Sequence, residues 1–133
     1  MHLILLLLFS FLASCSSNSL DDFREEAEGI NKSLISDLKE IHTRSELLKA
    51  KPAIKKKFND LVDVIIAAHD YQKKHHEQNP SKANQIVSDQ LRTELIRIYS
   101  TIDEGREIIE NCQEEALNRL DAHLKRTNKN SVY

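Results

Sequence analysis

Three histidines lie close together in the chain, and histidine is the commonest ligand for metal ions in proteins. His69, His75 and His76 fall within one short segment, and Glu77 follows them directly. A zinc site built on one helix needs ligands three or four residues apart, or cysteine pairs. His69 and His76 could share a helix face, but no third ligand follows at a suitable spacing. The pattern favours solvated histidines, and we predict no bound metal and no cofactor.

A second arrangement with possible acid–base chemistry is His42 with Glu46, four residues further on. An acid–base pair needs a cleft and a perturbed environment, which a narrow helical protein rarely provides. The chain contains no nucleophile elbow, no H-E-x-x-H, no phosphate-binding loop and no dinucleotide fingerprint. We therefore do not expect the protein to be an enzyme, nor to act on a small-molecule substrate.

The N-terminal segment has the composition of an export signal. Residues 1–14 carry no charged side chain, and the run from Leu3 to Leu12 is apolar. Such a run is too short to cross a bilayer, for which about 20 apolar residues are needed. The alternative is a buried helix, although a core helix is rarely apolar on every face. Polar residues 16–19 follow a short motif that ends in cysteine, Leu12-Ala13-Ser14-Cys15.

This motif resembles the lipobox of bacterial lipoproteins. The resemblance covers residues 1–19 and implies that Cys15 is diacylated on its sulfur after residues 1–14 are removed. It implies a lipid-anchored protein of the bacterial cell envelope. Ser16 stands where the inner-membrane retention signal has Asp, so the resemblance favours the outer membrane in a Gram-negative envelope.

The composition indicates one helical domain. The 133 residues include only two Gly and two Pro, which argues against a turn-rich β-sandwich or barrel. The 19 basic and 21 acidic residues nearly cancel, so nucleic acid is not an expected partner. Cys112 has no mate within the chain once Cys15 is lipidated. Its place on an apolar helical seam predicts a small buried side chain, with an intermolecular disulfide as the alternative.

Apolar spacing predicts three long helices. The first covers about residues 19–49, with a capping signal at 43–46 that could mark a kink. Pro52 is expected to close the first helix and open the second. The third covers about residues 80–126, because its apolar stripe keeps its phase across Gly105. The predicted fold is an all-α antiparallel three-helix bundle with a long third helix, and the alternative is a four-helix bundle broken near Gly105.

The predicted domain organisation follows from these segments. Residues 1–14 form the signal peptide, 15–19 the lipidated cysteine and a short tether, 20–126 the bundle, and 127–133 a disordered tail. The third helix is longer than its partners, so we expect the end of its apolar stripe to lack cover within the monomer. These residues form the predicted interaction site: Ala116, Leu120 and Leu124.

A lysine cluster is the other candidate site, formed by Lys49, Lys51, Lys55, Lys56 and Lys57. The antiparallel geometry places it beside an acidic stretch of the third helix: Asp103, Glu104, Glu107, Glu110, Glu114 and Glu115. Mutual neutralisation of the two stretches is therefore expected. The alternative is that the cluster binds polyanionic ligands.

These observations predict a membrane-anchored, non-enzymatic lipoprotein that serves as a protein-interaction or structural module. Recognition would occur helix on helix, as in a coiled coil, with a homodimer or an envelope protein as the partner. The alternative is a surface-exposed protein that binds polyanions through the lysine cluster.

Overall fold

The computed structural model describes residues 19–76 and 85–130, and every regular element within these ranges is a helix. The helices are α1 (Leu20–Lys39), α2 (Arg44–His75), α3 (Gln85–Thr101) and α4 (Gly105–Lys129). The all-α prediction is confirmed. The helix count fits the four-helix alternative and not the three-helix bundle. The predicted signal peptide, Cys15 and residues 131–133 lie outside the described residues.

The first predicted helix is in fact two, because the capping signal at 43–46 starts a new helix. The side chain of Thr43 accepts a hydrogen bond from the Glu46 N–H (3.1 Å), and the Glu46 carboxylate accepts one from the Thr43 N–H (3.2 Å). This reciprocal capping box satisfies amide groups that a helix start leaves without partners. Pro52 neither closes nor opens a helix, since it lies inside α2. Proline has no N–H, so the carbonyl of Leu48 in the first turns of α2 lacks its usual helical hydrogen-bond donor.

The predicted third helix is also broken, at residues 102–104. Glu104 adopts a left-handed conformation with φ of 57°, and the Gly105 N–H donates to the carbonyl of Ile102 (3.0 Å). A Cβ on Gly105 would lie 2.5 Å from the carbonyl oxygen of Ile98, so the close approach of α3 and α4 requires glycine here. The apolar spacing continues through the turn because both helices pack on the same core. Periodicity alone therefore could not reveal the break.

Cross-helix contacts fix the direction of each helix. Phe23 near the start of α1 meets Tyr71 near the end of α2, with ring centroids 5.7 Å apart, so these helices are antiparallel. In contrast, α4 runs parallel to α2. Arg44 contacts Glu104 at one end of this pair of helices, and Lys73 contacts the carbonyl of Thr127 at the other.

The remaining helix, α3, packs mainly on α1. The Arg97 guanidinium donates to the carbonyls of Leu38 (2.7 Å) and Ile41 (3.0 Å), just where α1 ends. These carbonyls are among those that a helix end leaves unsatisfied. α3 contacts α4 less extensively than it contacts α1. The helices thus form a ring in the order α1, α2, α4, α3.

The bundle has two distinct ends. The turn pole holds the turns at 40–43 and 102–104, which are joined by the 2.6 Å ion pair between Arg44 and Glu104. The terminal pole is the opposite end, where α1 begins and α2 and α4 end. Within the described ranges no buried residue is polar or charged. The largest fully buried side chains all lie in the half nearer the turn pole: Leu34, Leu38, Leu47, Ile54, Ile98, Ile109 and Cys112.

The end of α4 lies beyond the predicted end of the bundle domain. The helix continues to Lys129, so it includes residues 127–129. The Thr127 hydroxyl donates to the carbonyl of Leu124 (3.0 Å), and the backbone carbonyl of Thr127 accepts from Lys73 on α2. These contacts explain why a polar segment extends the helix.

Candidate functional site

The predicted interaction residues of α4 are not equally accessible. Ala116 is only 1% exposed and belongs to the core, and Leu120 is partly buried against it. Leu124 is 38% exposed. The expectation that the stripe lacks cover within the monomer is therefore wrong for Ala116 and Leu120. It assumed one long helix, whereas α2 extends to His75 and covers this side of α4.

A neighbouring residue, Leu117, is the more exposed apolar side chain of α4, at 56%. It lies seven residues before Leu124, a spacing that places both on one face of the helix, with Leu120 between them. We call Leu117, Leu120 and Leu124 the α4 leucine face. Leu117 lies beside the main apolar stripe of α4 and was not among the predicted interaction residues. The i, i+3, i+7 spacing of the three leucines is the signal that could have identified it.

Acidic residues predominate in the first half of α4 and basic residues in the second, with Arg106 and Asp121 as the exceptions. The first half carries Glu107, Glu110, Glu114 and Glu115. The second half carries Arg119, Lys125, Arg126 and Lys129. Some of these groups are paired within the monomer, for example Lys125 with Asp121 (2.7 Å). The leucine face thus runs from the acidic half of the helix into the basic half.

The lysine cluster is largely paired within the bundle. Lys55 contacts Glu115 (2.7 Å), as expected from the predicted acidic stretch. This hydrogen bond and the charge of the partner raise the pKa of Lys55 and lower the pKa of Glu115. Lys56 instead contacts Asp60 (2.6 Å) on its own helix, and Lys57 contacts Asp37 on α1. Lys49 and Lys51 lie earlier on α2, where the charge of Lys49 contributes to lowering the pKa of Glu46. Three of the five ammonium groups therefore already have a carboxylate partner.

Cys112 lies in the core, in agreement with the sequence analysis. It is a free, fully buried cysteine, and its Sγ donates to the carbonyl of Lys51 at 3.8 Å. Burial raises the pKa of the Cys112 thiol, which keeps it protonated near neutral pH. The side chain thus packs as a small apolar group.

The histidines separate into different environments. His75 stacks on Tyr71 with ring centroids 4.1 Å apart, and His76 ends α2 in a left-handed conformation. The acid–base pair considered above is a helix cap, because the backbone N–H of His42, not its ring, donates to Glu46 (2.7 Å).

His69 does not join the other histidines of α2. Its ring lies edge to face with that of His123 on α4, with centroids 5.6 Å apart. Asp70 lies between them and accepts a hydrogen bond from His123 (2.8 Å). Because 54 residues separate the two histidines, no local spacing rule could predict this cluster.

An open apolar groove of about 340 Å³ lies between α1 and α2 at the terminal pole. Its lining includes Leu20 and Ala27 of α1 and Ile65 and Ala68 of α2. Of the described helices, none combines the length and apolar character needed to cross a bilayer.

Comparisons with known proteins give this chain no relative, since no protein-family model, curated protein or solved structure matches it.

Proposed function

We propose that the chain is a lipid-anchored, non-enzymatic module of the bacterial cell envelope that acts by helix-on-helix contact with a second copy of itself. The observation that carries this proposal is the exposed α4 leucine face. Leu117 and Leu124 are large apolar side chains left more than one-third exposed on a helix whose other face is packed. Covering such side chains stabilises an assembly by about 25 cal/mol per Å² of apolar surface removed from water.

The position of the lipidated cysteine supports a defined orientation. The Ser19 hydroxyl caps α1 by accepting from the Asp22 N–H (3.3 Å), and α1 begins at the terminal pole. Cys15 precedes Ser19 by only four residues. At about 3.3–3.6 Å per extended residue, a lipid on Cys15 would hold the terminal pole within about 14 Å of the membrane surface.

Charge segregation favours a second copy of this chain as the partner. If two α4 helices pair in antiparallel fashion about a point near Leu120, the acidic half of each faces the basic half of the other. Leu117 of one chain then lies opposite Leu124 of its partner. Such a contact is self-complementary, as the two-fold symmetry of a homodimer requires. Attachment of both copies to one membrane raises their effective concentration and makes a small contact surface sufficient.

The polyanion-binding alternative has less support. Lys55, Lys56 and Lys57 already contact carboxylates, and a ligand would have to displace these partners. The cluster begins near the turn pole, the end of the bundle away from Ser19. It would therefore not face the headgroups of the membrane to which Cys15 is attached.

The anchor is tested by labelling. Cells that express the chain are fed labelled palmitate, and the label on the purified protein is measured. We expect a label that Cys15→Ser abolishes and Cys112→Ser leaves intact. An unlabelled wild-type chain would contradict the anchor.

The contact is tested on the soluble fragment 16–133, which keeps every described helix. We expect light scattering to report a dimer that Leu117→Glu and Leu124→Glu together convert to a monomer. Ile96→Glu is the matched control, because Ile96 is also exposed (54%) but lies on α3. A wild-type fragment that stays monomeric in solution and a full chain that stays monomeric in detergent would together contradict self-association.

A further inference from the structure

We propose that His69, Asp70 and His123 form a binding site for one divalent ion of the zinc type, which links α2 to α4 near the terminal pole. The site is independent of the proposed lipid anchor and of the α4 leucine face. It joins two neighbouring residues of α2 to one residue of α4, and it uses a histidine that the sequence analysis did not consider.

The three side chains already bring their donor atoms together. Asp70 Oδ1 lies 2.8 Å from His123 Nε2 and 3.7 Å from His69 Nδ1. All three donor atoms lie within 4.8 Å of one another. Ligand atoms about 2.0–2.2 Å from a tetrahedral zinc ion are about 3.3 Å apart, so the observed spacings lie on either side of the required value. Small side-chain movements would bring both spacings to this value, and the proton on His123 Nε2 would leave that nitrogen as the ion binds.

A second observation singles out His69. Its Nδ1 is buried from solvent and has no hydrogen-bond partner among the described residues. A buried polar atom without a partner is unfavourable, and such atoms are usually satisfied by protein, water or an ion. A metal ion bound between Nδ1 and the Asp70 carboxylate would satisfy this atom. The lone pair of a neutral imidazole nitrogen is the donor that such an ion requires.

The donor set indicates the class of metal. Two imidazoles and one carboxylate suit zinc and neighbouring transition-metal ions, whereas calcium and magnesium prefer oxygen ligands alone. His123 and His69 are the more enclosed members, while Asp70 is exposed. This exposed side leaves room for water as a fourth ligand. The site therefore has the three protein ligands and one open position of a four-coordinate zinc centre.

Binding would fasten two helices where the bundle is less tightly closed. The fully buried core side chains lie toward the turn pole, whereas His69 and His123 lie toward the terminal pole. Because the ligands come from both α2 and α4, the ion would bind the folded chain in preference to the unfolded one. Zinc should therefore raise the thermal midpoint of unfolding.

The test is a titration of the full chain, purified in detergent and freed of metal, with Zn²⁺ by calorimetry and with Co²⁺ by visible absorption. We expect one ion per chain and Co²⁺ bands of a four-coordinate site. His123→Ala and, separately, Asp70→Asn should weaken binding at least about tenfold. Circular dichroism on each variant shows whether the helices remain, and Asp70→Asn keeps the site testable if His123→Ala does not fold.

His42→Ala is the matched control, because His42 is an exposed histidine in the turn at the opposite pole. We expect it to leave the affinity and stoichiometry of zinc unchanged. The proposal is overturned if the wild-type chain binds no zinc at millimolar concentration. It is equally overturned if folded His123→Ala and Asp70→Asn bind zinc as the wild type does, or if His42→Ala weakens binding as much as they do.

Discussion

The two halves of the bundle are built differently. In the half nearer the turn pole, side chains such as Leu38, Ile54 and Ile109 are fully buried, and Arg97 satisfies carbonyls at the end of α1. None of the largest fully buried side chains of the described residues lies toward the terminal pole, where Leu20, Val64 and Val87 keep 4–6% exposure. We infer that the half nearer the turn pole contributes more to the stability of the fold than the half nearer the terminal pole does. The terminal half carries the surfaces for which we propose functions.

The largest expected effect contrasts two apolar residues of one helix, Ile109 and Leu117. Ile109→Ala should lower the free energy of unfolding by about 2–5 kcal/mol, because it leaves a cavity in a closed core. Leu117→Ala should change it by less than about 0.5 kcal/mol, because surface substitutions rarely matter more. Urea unfolding of fragment 16–133 measures both, in the Leu124→Glu background and at a concentration at which light scattering reports a monomer. Equal losses would contradict the contrast between the buried and the exposed face of α4.

The next effect contrasts the two glycines of the chain. Gly105→Ala should cost about 1–3 kcal/mol, because the new Cβ would press on the backbone of Ile98 in α3. Gly29→Ala is the matched control, since nothing lies within 4 Å of a Cβ at this α1 position. It should raise stability by about 0.4–1 kcal/mol, because alanine favours the helix and restricts the unfolded chain. Urea midpoints that shift in the same direction would show that the turn at 102–104 does not depend on glycine.

Loss of the N-cap of α2 should lower the free energy of unfolding less than Ile109→Ala or Gly105→Ala does. Thr43→Ala removes the acceptor for the Glu46 N–H and should cost about 0.5–2 kcal/mol. Thr43→Ser keeps that acceptor and should restore most of the stability in the same urea assay. If the serine variant is as unstable as the alanine variant, the loss comes from the methyl group of Thr43 and not from its capping hydroxyl.

The smallest effect is a pH dependence at the same turn. Hydrogen bonds from the backbone N–H groups of His42 and Thr43 lower the pKa of Glu46. A carboxyl with a lowered folded-state pKa stabilises the fold above its unfolded pKa of about 4.3, and this contribution is lost as the pH falls through the folded value. The stability difference between wild type and Glu46→Ala should therefore be larger at pH 7 than at pH 3. A pH-independent difference would contradict the role of the carboxylate.

The sequence predicted the helical class, because apolar residues recur at helical spacing, and it predicted the burial of Cys112. It also contained the signal for the first turn, a complete capping box at Thr43 and Glu46. The second turn could not be predicted in the same way. It depends on the left-handed Glu104 and on a close approach at Gly105, and neither changes the phase of the apolar stripe.

The candidate sites were harder to predict than the fold. Accessibility along α4 depends on where α2 ends, so Ala116 was expected at the surface and lies in the core. The cluster of His69, Asp70 and His123 depends on the parallel register of α2 and α4. The spacing of residues within one helix does not show where α2 ends beside α4, nor the register between these two helices. Lipidation of Cys15 rests on the lipobox resemblance and stays a prediction.

Disulfide cross-linking in intact cells tests the central claim most directly, namely that two lipid-anchored copies pair through antiparallel α4 helices. One chain carries Leu117→Cys, a differently tagged chain carries Leu124→Cys, and both are expressed together. The account predicts a mixed disulfide dimer that exceeds either single-variant dimer, and no mixed dimer when Ile96→Cys replaces Leu117→Cys. Strong dimers from each variant alone would contradict the antiparallel arrangement, and the absence of any dimer would contradict the contact itself.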